Sequence, residues 1–280
     1  MKAPDFAYVR PTSLDDAIAA LRSGEDVKLL AGGQSLVPLL NMRLVRPRVL
    51  VDLARVEELS AIARRNGALR IGAMVTQREA ETSPAVRDGC PLLVRALELV
   101  AHPPIRNRGT VGGSLAHADP AAELPAAVLL LGGSIHVRGA AGERTIAAEE
   151  FFKGYLTTAL EPDEVLIAVE LPVVNAAGWD FRELTRRPGD FPLAGAASLV
   201  EPGGGVRLVL YGVADRPVRA HAAEELLAGG ASVAQAAAAA ARDLDPPGNL
   251  HATPDYRRHL AEVLARRSLE AAIEMGGARA

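Results

Sequence analysis

The sequence predicts an α+β fold in three regions, on three observations. Helical and extended patterns alternate within the first 55 residues. Three strand-length runs follow one another between residues 179 and 213. Beyond residue 219 the character is helical. Alternation of strand and helix marks a small α/β unit, and successive strands mark an antiparallel sheet. The expected division is residues 1–55, residues 56–175, and residues 176–280 with a three-stranded sheet and helices.

Ser13-Leu14-Asp15-Asp16 reads as a capping box opening a helix through Ala17–Leu21 that stops near Gly24. Asp26–Leu30 follows as a short strand and Val49–Leu53 as a second. In the middle region, Ala68–Ala73 is a strand and Thr76 begins a short helix. Leu92–Ala101 has helical period, ended by His102-Pro103-Pro104. Asp119-Pro120 places an N-cap and an N1 proline before the apolar helix Ala126–Leu131. Ser134–Val137 and Val165–Leu171 are strands. The third region reads as strands Trp179–Thr185, Leu193–Val200 and Val206–Val213. Six alanines at 236–241 then favour a tightly packed helix, and Pro254–Ile273 forms a long last one.

Composition removes several function classes. Lys and Arg number 31 against 34 Asp and Glu, a formal net charge of −3, which is no polyanion-binding signature. No apolar run reaches the roughly 18–20 residues that span a bilayer, and the first residues lack the apolar core of a secretory signal. The single cysteine, Cys90, forms no internal disulfide and suits a reducing, cytoplasmic setting. One thiol cannot hold an iron–sulfur cluster, and the six histidines show no metal-ligand spacing. Redox or transfer chemistry here needs an organic cofactor or a partner.

Two glycine-rich loops supply a place for one. In Ala31-Gly32-Gly33-Gln34-Ser35 an apolar strand runs into two glycines and a polar pair, with Pro38 just beyond. Glycine permits positive φ and lets a phosphate approach main-chain N–H groups without meeting a Cβ. Successive N–H groups at such a turn form an anion nest. Ser35 is placed to cap the next helix or to donate to a phosphate oxygen. Taken alone, this loop fits an ordinary strand-to-helix turn equally well. The second loop, Thr110-Val111-Gly112-Gly113-Ser114, follows Gly109, and Arg106 and Arg108 stand upstream as candidate charge partners. Two such loops about 80 residues apart suit a pyrophosphate, each supplying N–H donors. No P-loop or Gly-x-Gly-x-x-Gly pattern is present, which disfavours an ATPase or a Rossmann dinucleotide fold.

These residues resemble the two FAD motifs of the molybdenum hydroxylase flavoprotein subunit, the type found in carbon monoxide dehydrogenase and xanthine dehydrogenase. The likeness runs through Ala116-His117-Ala118-Asp119-Pro120, the opening Phe6–Pro11 and the stretch Phe181–Phe191. It implies a PCMH/vanillyl-alcohol-oxidase-type FAD-binding fold, with two α/β subdomains and a C-terminal antiparallel sheet plus helices. It gives the pyrophosphate of a non-covalent FAD to both loops, and places Glu123 near the adenosine half. It places Leu166 against the cofactor and Phe191 over the flavin ring. For Glu123 a charge helping the helix dipole is the competing reading, and for Leu166 and Phe191 plain packing. Gln34 and Ser114 stand where relatives often carry His and Asn. Some relatives carry Lys near Glu183, so a cationic contact does not carry over there.

The resemblance also implies partners: a two-iron two-sulfur small subunit, a molybdopterin large subunit and an external electron acceptor. The flavin would accept electrons one at a time from the cluster and pass them on. A stand-alone flavin oxidase of the same fold and a catalytically silent scaffold remain as alternatives.

Overall fold

Ser13 opens the first helix, Leu14–Leu21, by accepting a bond from the Asp16 N–H. The computed structural model describes residues 2–24, 26–173 and 176–277. The helix packs on a three-stranded parallel sheet of order β1-β3-β2, formed by β1 (Ala7–Val9), β2 (Val27–Leu30) and β3 (Val49–Asp52). The expectation missed β1, whose three residues are all exposed. In parallel sheets, ligands gather beyond the carboxyl ends of the strands. Here that edge carries Leu30 beside Asp52, so the first glycine loop leaves the sheet at this edge.

The middle region is a five-stranded sheet, wholly antiparallel. Its strands are β4 (Ile62–Arg65), β5 (Ala68–Gly72), β6 (Ser134–Gly139) and β7 (Gly142–Ala147). A two-stranded ribbon follows, β8 (Phe152–Gly154) with β9 (Thr157–Thr158), before β10 (Val165–Pro172). β10 lies at the centre, in the order β4-β5-β10-β6-β7, with a bulge between Leu166 and Ala168. Thr76 and Glu79 form a reciprocal capping box for the helix Gln77–Thr82. Pro103-Pro104 does not merely end a helix. It begins another, Pro103–Arg106, because proline suits the first helical turn.

The Asp119-Pro120 expectation needs correction. The helix is Glu123–Leu130 with Ala122 at its N-cap, while Asp119 Oδ1 closes a turn by accepting from the Ala121 N–H at 2.9 Å. All eight residues of this helix are buried. A helix apolar on nearly every side must be enclosed on every side, and this one lies between the second and third sheets. One core therefore runs from Leu69, Ile71 and Leu171 through Leu124 and Val128 to Phe181, Val209 and Tyr211.

The C-terminal sheet has four strands rather than the expected three: β11 (Gly178–Leu184), β12 (Ala194–Val200), β13 (Val206–Tyr211) and the two-residue β14 (Val218–Arg219), all antiparallel. The expected boundary at 175/176 touches residues 174 and 175, which lie outside the described residues. Three helices follow, His221–Ala228, Val233–Arg242 and Pro254–Gly277, with 243–253 non-helical between the last two. Small residues bring the last helix down onto the sheet. A Cβ at Gly178 would sit 1.9 Å from the Ala272 carbonyl oxygen.

Candidate functional site

The first loop is a strand-to-helix turn whose donors are left over. Gly33 has φ of 74°, a backbone region that L side chains rarely adopt. Its carbonyl accepts from the Val37 N–H at 3.0 Å, and Gln34 Nε2 donates to the Gly32 carbonyl at 3.1 Å. The backbone N–H groups of Gly32, Gly33, Gln34 and Ser35 find no protein acceptor among the described residues. Ser35 occupies the N-cap position of helix Leu36–Asn41, yet its hydroxyl makes no capping bond. Its expected capping role is not present, and its donor capacity remains.

The second loop behaves differently from the expectation. Thr110 is a buried N-cap whose Oγ1 accepts from the Gly113 N–H at 3.0 Å. The Val111 N–H donates to the Val75 carbonyl and the Gly112 N–H to the Ala73 carbonyl, both at 2.9 Å, and the Ser114 N–H donates to the Thr110 carbonyl at 3.1 Å. All four donors are thus consumed inside the protein. Only the first loop presents a nest of N–H groups. The second forms its wall, with the Thr110 and Ser114 hydroxyls still able to donate.

The loops touch. A Cβ at Gly32 would lie 2.1 Å from the Arg108 carbonyl oxygen, and one at Gly113 would lie 3.3 Å from the Ala31 Cβ. Gly112 is pressed as closely on Ala73 at the end of β5. Glycine is needed here for approach of chain to chain. Beneath Gly109, the Gln77 amide oxygen is buried and has no hydrogen-bond partner among the described residues. Nothing in the sequence pattern had marked Gln77.

Arg106 is not a surface charge partner for phosphate. It is buried and gives Nε to Glu81 Oε2 at 2.9 Å and Nη1 to the Val100 carbonyl at 2.8 Å. Burial pushes the Glu81 carboxyl up, but the guanidiniums of Arg106 and Arg78 outweigh it and hold the carboxyl below its ordinary value. This pair fixes the helix Pro103–Arg106 ahead of the second loop. Arg108 is exposed.

Glu123 is 7% exposed at the start of its helix. Burial first, and then the charge of Glu183, push its carboxyl up to about 8. Leu166 is buried with the central core, beside the β10 bulge, as the packing reading requires. Phe191 is the opposite case. It is 70% exposed, which excludes the core-anchor reading. Its loop is nevertheless fixed: Gly189 has φ of 85°, and a Cβ there would lie 2.4 Å from the His102 ring. Arg186 Nη1 donates to His251 Nδ1 at 2.9 Å. His102 precedes the second glycine loop, so the aromatic tip is held next to that loop's approach.

The chain matches two family models along its length. One is described as the FAD binding domain in molybdopterin dehydrogenase and matches residues 4–174; the other, the CO dehydrogenase flavoprotein C-terminal domain, matches residues 179–272. The 6-hydroxypseudooxynicotine dehydrogenase complex subunit alpha of Paenarthrobacter nicotinovorans is 38% identical, over 98% of this chain and 96% of that one. The carbon monoxide dehydrogenase medium chain of Hydrogenophaga pseudoflava is 36% identical, over 97% and 98%. Among solved structures, quinoline 2-oxidoreductase from Pseudomonas putida 86 superposes with a TM-score of 0.93 at 40% identity, covering 99% of this chain and 100% of that one.

Proposed function

The chain belongs to the FAD-binding subunits of the molybdopterin dehydrogenases, of the CO dehydrogenase flavoprotein type, and on that premise we propose how its own residues serve the relay. The observation that carries the reading is the first loop: four successive N–H groups without acceptors, braced against a second loop that shuts the cradle. Such a nest suits a pyrophosphate. Gly32, Gly33, Gln34 and Ser35 would receive it, with Ala31 and the segment Val111–Gly113 as walls and the Thr110 and Ser114 hydroxyls as further donors. Glu123 would face the adenosine half, Leu166 would back the wall, and Phe191 would screen the flavin ring. Bound there, the flavin supplies the redox chemistry and the protein supplies position and shielding.

The proposed electron source is a small subunit carrying two-iron two-sulfur clusters, fed by a large subunit carrying molybdopterin, and the sink is an external acceptor. Among the described residues no group of His, Cys, Asp and Glu is arranged to hold a metal ion, and no helix is long and apolar enough to cross a membrane. A cytoplasmic location and the division at 55/56 and 175/176 belong to the same proposal. Purification from the native source is expected to bring down both partner chains, with one FAD per flavoprotein chain that acid precipitation releases completely. A lone chain that itself oxidises a substrate would overturn the subunit reading in favour of an oxidase.

Phe191 gives a second test. Its exposure suits a screen over the cofactor's open side. Phe191→Ala is expected to keep its FAD and its thermal stability but to be reoxidised faster by oxygen or a small acceptor. The expected gain is about 10-fold, equivalent to ~1.4 kcal/mol of barrier. Unchanged reoxidation at full FAD content would rule out a screening role for Phe191.

A further inference from the structure

A cation taken out of water without a carboxylate beside it is costly, so buried arginines are usually paired. Arg257, in the first turn of the last helix, is 5% exposed. Among the described residues it has no ion-pair partner, and burial alone pushes its guanidinium below the ordinary value. Its neighbour Arg258 is the common case, with Nη1 at 2.8 Å from Asp255 Oδ1. The buried Nε–H of Arg257 finds no acceptor among the described residues either. The polar contacts it does make are all to main-chain carbonyls.

Those carbonyls come from two different segments. Nη1 donates to the Leu193 carbonyl and, at 3.0 Å, to the Gly212 carbonyl. Leu193 closes the loop between β11 and β12, its N–H donating to the Leu184 carbonyl at 2.8 Å. That loop rests Gly189 on the ring of His102, the residue that opens the approach to the second glycine loop. Gly212 follows β13 with φ of 71°, and its N–H donates to the Pro120 carbonyl at 2.8 Å. Pro120 stands two residues beyond Ala118, the left-handed cap of the helix Val111–His117 that carries the second glycine loop. The two segments also touch, since a Cβ at Gly212 would lie 3.3 Å from the Pro192 carbonyl oxygen. One nitrogen thus sits where the entry to the second loop and the exit from its helix are both tied to the C-terminal sheet.

We propose that Arg257 is a positioning residue: from the last helix it locks the loop 185–192 and the turn 118–122 to each other, and through them it sets the second glycine loop against the first. Both bonds leave one atom, so a shift of either carbonyl drags the other. A guanidinium only donates, and with no carboxylate beside it Arg257 has no second partner to swing to. What the lock holds in place is the contact of Gly113 with Ala31, where a Cβ on Gly113 would lie 3.3 Å from the Ala31 Cβ. The lock stands on the protein's own geometry, and only its consequence for the cofactor rests on the FAD reading above.

Hydrogen exchange of the full chain without FAD tests the lock, because it reads local opening amide by amide. In wild type the Leu193 and Gly212 amides are expected to open together, with protection within about 3-fold of each other. Arg257→Met should lose protection at both by the same factor, about 10-fold or more. Ala197, at the centre of β12 between β11 and β13, should keep its own. Arg257→Lys should regain both, since a single ammonium nitrogen donates to two carbonyls. Protection in Arg257→Met that is unchanged at both amides, or lost at one and kept at the other, overturns the proposal. So does a loss shared equally by Ala197, which would make Arg257 a general stabiliser. If Arg257→Met does not fold, the wild-type comparison decides, and Leu193 and Gly212 amides that open independently overturn the lock.

FAD titration of the same proteins reads the second step. Arg257→Met is expected to bind FAD about 10-fold more weakly than wild type, and Arg257→Lys like wild type. Wild type that shows the paired protection yet binds no FAD would sink the cofactor reading and leave the lock standing. Loss of the lock at unchanged FAD affinity would show that the glycine loops keep their contact without Arg257, and overturns the step from lock to cradle alone.

Discussion

Gly113→Val protein is expected to purify folded and colourless. The position has no room on the side from which a phosphate must approach. A Cβ there would stand 2.7 Å from the Thr110 Oγ1 that caps the Gly113 N–H, and 3.3 Å from the Ala31 Cβ of the other loop. A branched side chain displaces the capping hydroxyl, frees the donor it held, and pushes Ala31 and its neighbours outward. The nest of Gly32–Ser35 depends on that wall, so flavin content should fall by more than about 10-fold, equivalent to ~1.4 kcal/mol or more. Fold should survive, since Gly113 is only partly buried. Gly32→Ala is the sterner version, because its Cβ meets main chain 2.1 Å away rather than a side chain. A Gly113→Val protein with one FAD per chain would sink the pyrophosphate assignment.

Arg106→Met is expected to lower stability, by less than the about 3–5 kcal/mol of a buried charge left wholly unpaired, because Arg78 still pairs with Glu81 at 3.0 Å. The group that loses its buried partner is Glu81, whose carboxyl Arg106 and Arg78 now hold below its ordinary value. In the wild type this pair contributes stability above the ordinary carboxyl value of 4.5, lost as pH falls through the lowered folded value. In the variant the penalty should instead shrink as pH falls and Glu81 takes up a proton. The measurement is thermal unfolding at pH 5 and pH 7.5, with the double variant Glu81→Gln/Arg106→Met recovering part of the loss. Equal midpoints for wild type and Arg106→Met at pH 7.5 would show that the pair stabilises nothing.

Both glycine loops were legible in the sequence, because an apolar strand ending in paired glycines is a local signal. So were β2, β3, β5, β6 and β10, whose apolar runs are long enough to show. The three-residue β1 and the polar β4 and β7 were not, since short or exposed strands carry little alternation. Donor use was invisible for a different reason. Whether an N–H at Val111 or Gly112 is free depends on Val75 and Ala73, more than thirty residues away. The same distance hid Arg106 and Glu81, 25 residues apart in the chain. It also hid the Arg257–Gly212 contact, 45 residues apart. Phe191 was found by position in its loop, and only the packing could show that it is exposed.

The place of β10 at the middle of its sheet sets a timetable for synthesis. Residues 68–72 pair with residues 168–172, and the Ala73 N–H, whose carbonyl holds Gly112, itself donates to the Ile167 carbonyl. The first helix likewise closes its core on Val165 and Ile167. Both glycine loops therefore emerge from the ribosome well before the strand that braces them. At about 5–20 residues per second, the interval between Gly113 and Pro172 is roughly 3–12 s. Through it one edge of β5 has no cover, and the apolar helix Glu123–Leu130, once made, still waits for β12 and β13. Flavin capture belongs after translation has passed residue 172, and the nascent chain needs a chaperone until β13 has closed over that helix.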